Sequence, residues 1–132
     1  MKREHIVLPR PVPPGMVRLP FSDAVRVGDT LYVAGRLGVD RATGKPPADA
    51  ADEARTLMND VSAVLAGAGM TPDDLVNVTV FAPDVSHFAT FNAVYVTYFS
   101  GPLPARAFPA PRSQAPDDPA RRCWRSLGST TM

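Results

Sequence analysis

With 132 residues, 45% hydrophobic and 20% charged, the chain has the size and composition of one globular domain with a core of its own. Its formal net charge of +1 offers no bulk attraction to nucleic acid, and no apolar run is long enough to span a bilayer. The single cysteine, Cys123, excludes an internal disulfide and fits a reducing cytoplasm, and His5 and His87 have no metal-ligand spacing around them, so no metal is expected.

Residues 1–18 read as an extended lead-in. Ile6-Val7-Leu8 is too short for a signal-peptide core, and Pro9, Pro11, Pro13, Pro14 and Pro20 keep the following stretch irregular. Ala24–Val27 and Thr30–Ala34 then read as two strands, joined by Gly28-Asp29 with glycine first, the signal of a type II′ hairpin. Gly35 follows the second strand, where glycine marks a bulge or a close backbone approach. Leu37 and Val39 continue an alternating pattern into a turn at Asp40–Gly44.

Asp49 is placed to cap a helix, with Asp52 and Glu53 in the first turn, where the helix dipole favours acids. Ala54, Leu57, Met58, Val61, Val64, Leu65 and Ala68 recur at helical spacing before Gly67 and Gly69 end the run. Leu75–Ala82 alternates as a strand and stops at Pro83. Ser86 is expected to cap a second helix carrying Phe88, Phe91, Tyr95, Tyr98 and Phe99 on one side. Asn92 shares that side and needs a partner there; a bond to neighbouring backbone is the expected one. Strands interleaved with two apolar-striped helices give an α+β domain, a mixed sheet with both helices on one face.

The next stretch carries the chemistry. Leu103–Phe108 is a short apolar run with Arg106 in its middle and prolines at both ends. A guanidinium in an apolar strand needs a partner for its charge. It can grip a carboxylate through two parallel hydrogen bonds, each contributing about 1.5–3 kcal/mol. Arg106 is therefore a clamp for an anionic ligand, half of an internal ion pair, or a surface arginine beside a turn.

The segments Phe21-Ser22-Asp23-Ala24-Val25, Leu31–Arg36, Ala54–Gly69, Val78–Phe81, Phe91–Tyr95, Tyr98-Phe99 and Pro104-Ala105-Arg106 occur in the order and at the spacing of the RidA/YjgF family, which the chain resembles from about Leu19 to Phe108. The resemblance implies a chorismate-mutase-like fold over residues 1–108. It also implies a homotrimer with a ligand cleft at each subunit interface. The activity it implies is hydrolysis of reactive enamine or imine intermediates to keto compounds and ammonia, without metal or cofactor. In that resemblance Arg106 holds the substrate carboxylate, Gly35 brings backbone to the ligand, and Asn92 matches the asparagine of the second helix. The implied ligand is a small carboxylate or imine, with neither a membrane nor nucleic acid as partner.

Four departures qualify this. Phe21 stands where the family has a tyrosine, Ala34 where a serine is common, and Phe108 where a cysteine follows the arginine. Each removes a polar group, which either favours a more apolar ligand or is neutral variation. Beyond Phe108 the family's terminal strand and its glutamate are missing; residues 109–132 are rich in proline and arginine and are expected to be irregular. That change of text fits an out-of-frame reading close to Phe108, with a natural lineage-specific tail as its rival. Two other functions stay open: a non-catalytic, ligand-binding or stress-related trimer, and a ribonuclease or translation inhibitor. The lack of a basic-aromatic stripe in the folded part speaks against the last.

Overall fold

The computed structural model describes residues 1–12, 14–15, 17–109 and 125–126. It is an α+β domain. Strands β1 (Arg3–Ile6), β2 (Ala24–Val27) and β3 (Thr30–Val33) form an antiparallel ladder in that order. β4 (Arg36–Leu37) pairs antiparallel with the last strand, β7 (Arg125–Ser126). β5 (Asn77–Thr79) pairs in parallel with β6 (Ala105–Ala107), with Val78 opposite Arg106. The mixture of antiparallel and parallel pairing is therefore present, distributed over three short ladders. Helices α1 (Ala50–Gly67) and α2 (Phe88–Tyr95) pack on them.

Local chemistry explains most of these elements. Val27 pairs with Thr30 across the two-residue loop, and Gly28 takes φ 59° there, a value glycine adopts without strain. α1 starts where the Asp49 carboxylate accepts the Asp52 backbone N–H at 3.1 Å. It ends with Gly69 at φ 72° and the Met70 N–H on the Leu65 carbonyl. α2 is capped differently from expectation. Asp84, not Ser86, accepts the Ser86 backbone N–H at 2.8 Å and opens a 3-10 turn, Val85–His87, that runs into the helix. The bond holds the Asp84 carboxyl below its ordinary range.

α1 ties the domain together because its two halves face different neighbours. Ala54, Leu57 and Met58 pack with Val80, Ala82, Phe91, Val94 and Tyr95, which is the side of β5 and α2. Val64 and Leu65 pack with Ile6, Ala24, Leu31, Val33 and Leu75, which is the side of the β1–β3 ladder. Fully burying one such leucine or valine contributes about 1.5–3 kcal/mol. A close backbone approach of the kind expected at Gly35 is found at Gly38. A Cβ there would lie 2.6 Å from the Glu53 Cγ and 2.7 Å from the Glu53 carbonyl oxygen, so only glycine lets α1 come this near.

Within the extended lead-in, Arg3–Ile6 forms a strand not assigned from the sequence, paired residue for residue with β2. One sequence expectation needs correction: the tail is not wholly irregular, because Arg125–Ser126 forms β7. Residues 110–124 and 127–132, on which the rest of that expectation and the frame question fall, lie outside the described residues.

Candidate functional site

Arg106 sits in the middle of β6 and is half-buried. Its Nη2 donates to the Asn92 side-chain oxygen at 2.6 Å. Four aromatic rings surround the guanidinium carbon: Tyr95 at 4.7 Å to the ring centre, Phe108 at 5.4 Å, Phe88 at 5.6 Å and Phe91 at 5.8 Å. Distances under about 6 Å allow the ring quadrupoles to stabilise the cation. α2 supplies the asparagine and three of the rings from one side, through the i, i+3, i+4 and i+7 spacing of Phe88, Phe91, Asn92 and Tyr95. The strand supplies Arg106 and, two residues on, Phe108.

No carboxylate among the described residues pairs with Arg106. The internal-ion-pair alternative left open by the sequence is thus not realised there. Asn92 accepts one N–H and carries no charge, so the guanidinium keeps donors and its full charge for something else. The expectation that Asn92 serves nearby backbone was wrong. Its side chain reaches across to the strand and fixes the plane of Arg106.

The Tyr95 ring is buried, and its hydroxyl has no hydrogen-bond partner among the described residues. It lines a small apolar cavity of about 20 Å³ with Val33, Ala34, Arg36, Leu57 and Phe91. Burial pushes the phenol pKa up, against a smaller opposing pull from Arg106, so the hydroxyl stays protonated through the neutral range.

Of the other residues singled out in the sequence, Phe108 joins the cluster, edge-to-face with Phe88 at 5.0 Å. Phe21 and Gly35 make no hydrogen bond or ring contact with it among the described residues, and Ala34 reaches it only as part of the lining of the cavity beside Phe91 and Tyr95. Phe21 is 49% exposed. Gly35 is exposed in the break between β3 and β4, and the Ala34 backbone N–H donates to the Asp23 carbonyl at 2.9 Å. Among the described residues no three His, Cys, Asp or Glu side chains gather as a metal site requires.

Sequence reasoning missed a second charged centre. Asp23, Arg36 and Glu53 are the buried charged residues among those described. Asp23 accepts the Leu8 backbone N–H at 2.7 Å and ion-pairs with both Arg10 and Arg36. Arg36 also reaches Asp60 at 3.2 Å, and Asp60 pairs in turn with Arg41. Burial lowers the Arg36 pKa from its ordinary value, and the flanking carboxylates keep the charge satisfied. Nothing in the local sequence signals this network, whose members lie 13 and 24 residues apart.

Residues 15–115 match the family described as endoribonuclease L-PSP. The chain belongs to this family, also known as YjgF/RidA. It is 38% identical over 89 residues to the mouse protein named 2-iminobutanoate/2-iminopropanoate deaminase, covering 67% of this chain and 66% of that one. It thus spans about two thirds of the length of the curated relatives it matches. Among solved structures, the Escherichia coli YjgF gene product superposes with a TM-score of 0.74 at 29% identity, over 96% of this chain and 98% of that one. E. coli TdcF with bound serine gives the same TM-score at 26% identity and the same coverage. The α+β arrangement is accordingly the RidA/YjgF fold.

Proposed function

We propose that this RidA/YjgF-family protein hydrolyses carboxylate-bearing enamines and imines to keto acids and ammonia, with Arg106 as the carboxylate clamp. One observation carries the reading: Arg106 is half-buried, held in plane by Asn92 and aromatic rings, and has no carboxylate partner among the described residues. The names of the deaminase relatives, and the serine bound by E. coli TdcF, agree with a small carboxylate as the ligand.

The chemistry asks little of the protein. An enamine first tautomerises to its imine. Water adds through oxygen to the imine carbon, and a proton passes to nitrogen, giving a carbinolamine. Its collapse forms the C=O bond and expels ammonia. Imines already hydrolyse in water, so orienting the substrate and neutralising its carboxylate are the main contributions available. Arg106 does both, and the surrounding rings lower the local dielectric, which strengthens its pairing with an anion. Tyr95 keeps its proton and serves as a ring face for Arg106.

The protein works as a homotrimer in the cytoplasm. Val25 and Tyr32 are opposite each other on one face of β2–β3, and Tyr32 is 48% exposed with Leu37 and Phe21 similarly bare. An apolar face of that kind suits a subunit contact. In a trimer, Phe21, Ala34 and Gly35 of one copy complete the cleft around Arg106 of the next. No helix among the described residues is long and apolar enough to cross a membrane.

A second reading, carboxylate binding without turnover, is favoured by one feature. Among the described residues the contacts of Arg106 are Asn92 and aromatic rings, none of them a general base. One assay separates the two. An imino acid is generated enzymatically, and ammonia release is followed with wild type, Arg106→Ala and no protein. Acceleration by wild type alone supports the deaminase. Arg106-dependent binding of the keto acid without acceleration leaves the binding protein. Light scattering at the mass of a monomer would remove the shared cleft.

A further inference from the structure

We infer that Arg10 and Arg41 form a second anion site, separate from Arg106, that takes a tetrahedral phosphoryl group, free or at the end of a small ester. The two arginines end the ion-pair row built on Asp23, Arg36 and Asp60, where the lead-in meets the turn after β4.

The row runs Arg10, Asp23, Arg36, Asp60, Arg41. It alternates in sign and ends on a cation at both sides. Three guanidinium charges thus meet two carboxylates, and one positive charge is left over. Arg36, in the middle, is spent: Nη1 and Nη2 are on Asp60 and Asp23, and Nε donates to the Ala34 carbonyl at 3.4 Å. The ends are not. Arg10 is 19% exposed, yet its Nε and Nη2 are buried and make no hydrogen bond among the described residues; Nη2 meets Asp23 as a charge only. Buried donors without an acceptor carry a cost that an anion removes. Arg41 is 40% exposed, and among the described residues only its Nη2 is engaged, on Asp60. The two ends also lie near each other. Asp23 and Asp60 sit on neighbouring nitrogens of the one Arg36 guanidinium. Burial lowers the Arg10 pKa, and the charges of Arg36 and Arg41 lower it further.

The chemistry of the two ends selects the anion. Each guanidinium presents parallel N–H donors that match a pair of oxygens. One such fork uses up a monocarboxylate. A phosphoryl group offers at least three strong acceptor oxygens and can bridge both forks. Asp40, next to Arg41 in sequence, is turned into its own loop, where Oδ1 accepts the Ala42 N–H at 2.7 Å and the Thr43 N–H at 3.3 Å. The bridge ties residue 10 to residue 41. It adds to the Leu8 N–H bond on Asp23 that already holds the lead-in down.

The test uses the full chain and isothermal titration calorimetry, with ionic strength held constant by sodium chloride. The probes are inorganic phosphate, glycerol 1-phosphate and propanoate. Arg106→Ala is expected to lose propanoate and still bind phosphate. Adding Arg41→Gln to that variant is expected to weaken phosphate at least about 10-fold, the lower bound for losing one charge-assisted bond. Arg41 is exposed and Asp60 keeps its bond to Arg36, so this change leaves the fold intact. Arg10→Gln is expected to weaken phosphate in the same way. Arg41→Lys keeps the charge and loses the fork, and is expected to bind phosphate more weakly than the parent. An ester bound as tightly as the free ion supports the phosphoryl end of a small metabolite as the ligand; an ester bound more weakly supports inorganic phosphate. Three results overturn the site: no phosphate binding in Arg106→Ala, an affinity unmoved by Arg41→Gln, or Arg41→Lys equal to its parent, which reduces the attraction to diffuse charge.

Discussion

Arg36 and Arg106 both stand on short strands among apolar neighbours, and the fold treats them in opposite ways. Arg36 is 3% exposed and held between the carboxylates of Asp23 and Asp60. Arg106 is half-buried, faces four aromatic rings and bonds one neutral amide oxygen. The first arrangement satisfies a charge within the chain and leaves nothing for a ligand. It also ties the proline-rich lead-in down, because Asp23 takes the Leu8 N–H and the Arg10 guanidinium together with Arg36. The second holds the cation in place by its faces and one edge, which orients it without neutralising it. The difference between a structural and a ligand-binding arginine therefore lies in what the guanidinium contacts. Burial alone would rank Arg36 first.

The largest effect should come from breaking the structural side. Arg36→Met leaves the buried Asp23 carboxylate short of a partner, and removing one member of a buried ion pair typically costs about 3–5 kcal/mol. Domains of this size have only about 5–15 kcal/mol in total. Urea denaturation should show the midpoint collapsing. A midpoint shifted by less than 1 kcal/mol equivalent would mean that Asp23 and Asp60 find other partners.

Arg106→Ala should do the reverse. With no ion pair to break among the described residues, stability should change by about 1 kcal/mol or less, the scale of exposed cation–π contacts. Carboxylate-dependent turnover should fall by about 100-fold or more, as loss of two charge-assisted bonds implies. Arg106→Lys should not restore it, since a point charge cannot reproduce the paired geometry. The check is kcat/KM for imine hydrolysis alongside a melting curve; equal kinetics in all three proteins would remove Arg106 from the site.

The two centres also differ in how far the sequence displays them. Arg106 is visible because it interrupts a short apolar run between prolines, and Asn92 because it falls on the apolar side of α2. Their mutual bond is not, since the parallel β5–β6 pairing that brings strand and helix together links distant segments. α1 and the Gly28 hairpin are legible because cap, periodicity and turn chemistry are local. β1 is not: Arg3-Glu4-His5 has no apolar alternation, only Ile6 is buried, and the strand exists through its backbone ladder with β2. The Asp23–Arg36–Asp60 network and the need for glycine at 38 depend on contacts that only the folded chain creates.

Asn92→Asp would convert the second arrangement into the first. A carboxylate at the place of the amide oxygen, 2.6 Å from Nη2, gives Arg106 an internal ion pair. Stability should hold or rise slightly, while affinity for propanoate should drop by about 10-fold or more, because a nearby like charge repels the ligand and the arginine is already satisfied. Calorimetric titration of the variant provides the check. Undiminished affinity would mean that the neutrality of Asn92 does not matter and that the contrast with Arg36 is one of burial.

The smallest effect concerns the ring closest to Arg106. Tyr95 contributes its face, and its hydroxyl has no partner among the described residues, so Tyr95→Phe should keep carboxylate affinity within about 3-fold, the magnitude of a modest change in a cation–π contact. Its trace should appear at alkaline pH instead. Burial raises the phenol pKa of Tyr95 above its ordinary 10.0, and that of Tyr98 moves the same way. In the unfolded chain both phenols lose their protons near pH 10, while in the folded chain they still hold them. The unfolded state then binds fewer protons, so stability is complete below pH 10 and declines as the pH rises through the folded pKa values. Tyr95→Phe removes one of the two titrating groups and should flatten that decline, with no change near pH 7. Melting curves of wild type and variant from pH 8 to about 11, the range that spans these ionisations, make the measurement. Parallel curves would show that the Tyr95 hydroxyl ionises freely in the folded protein and is therefore in contact with water.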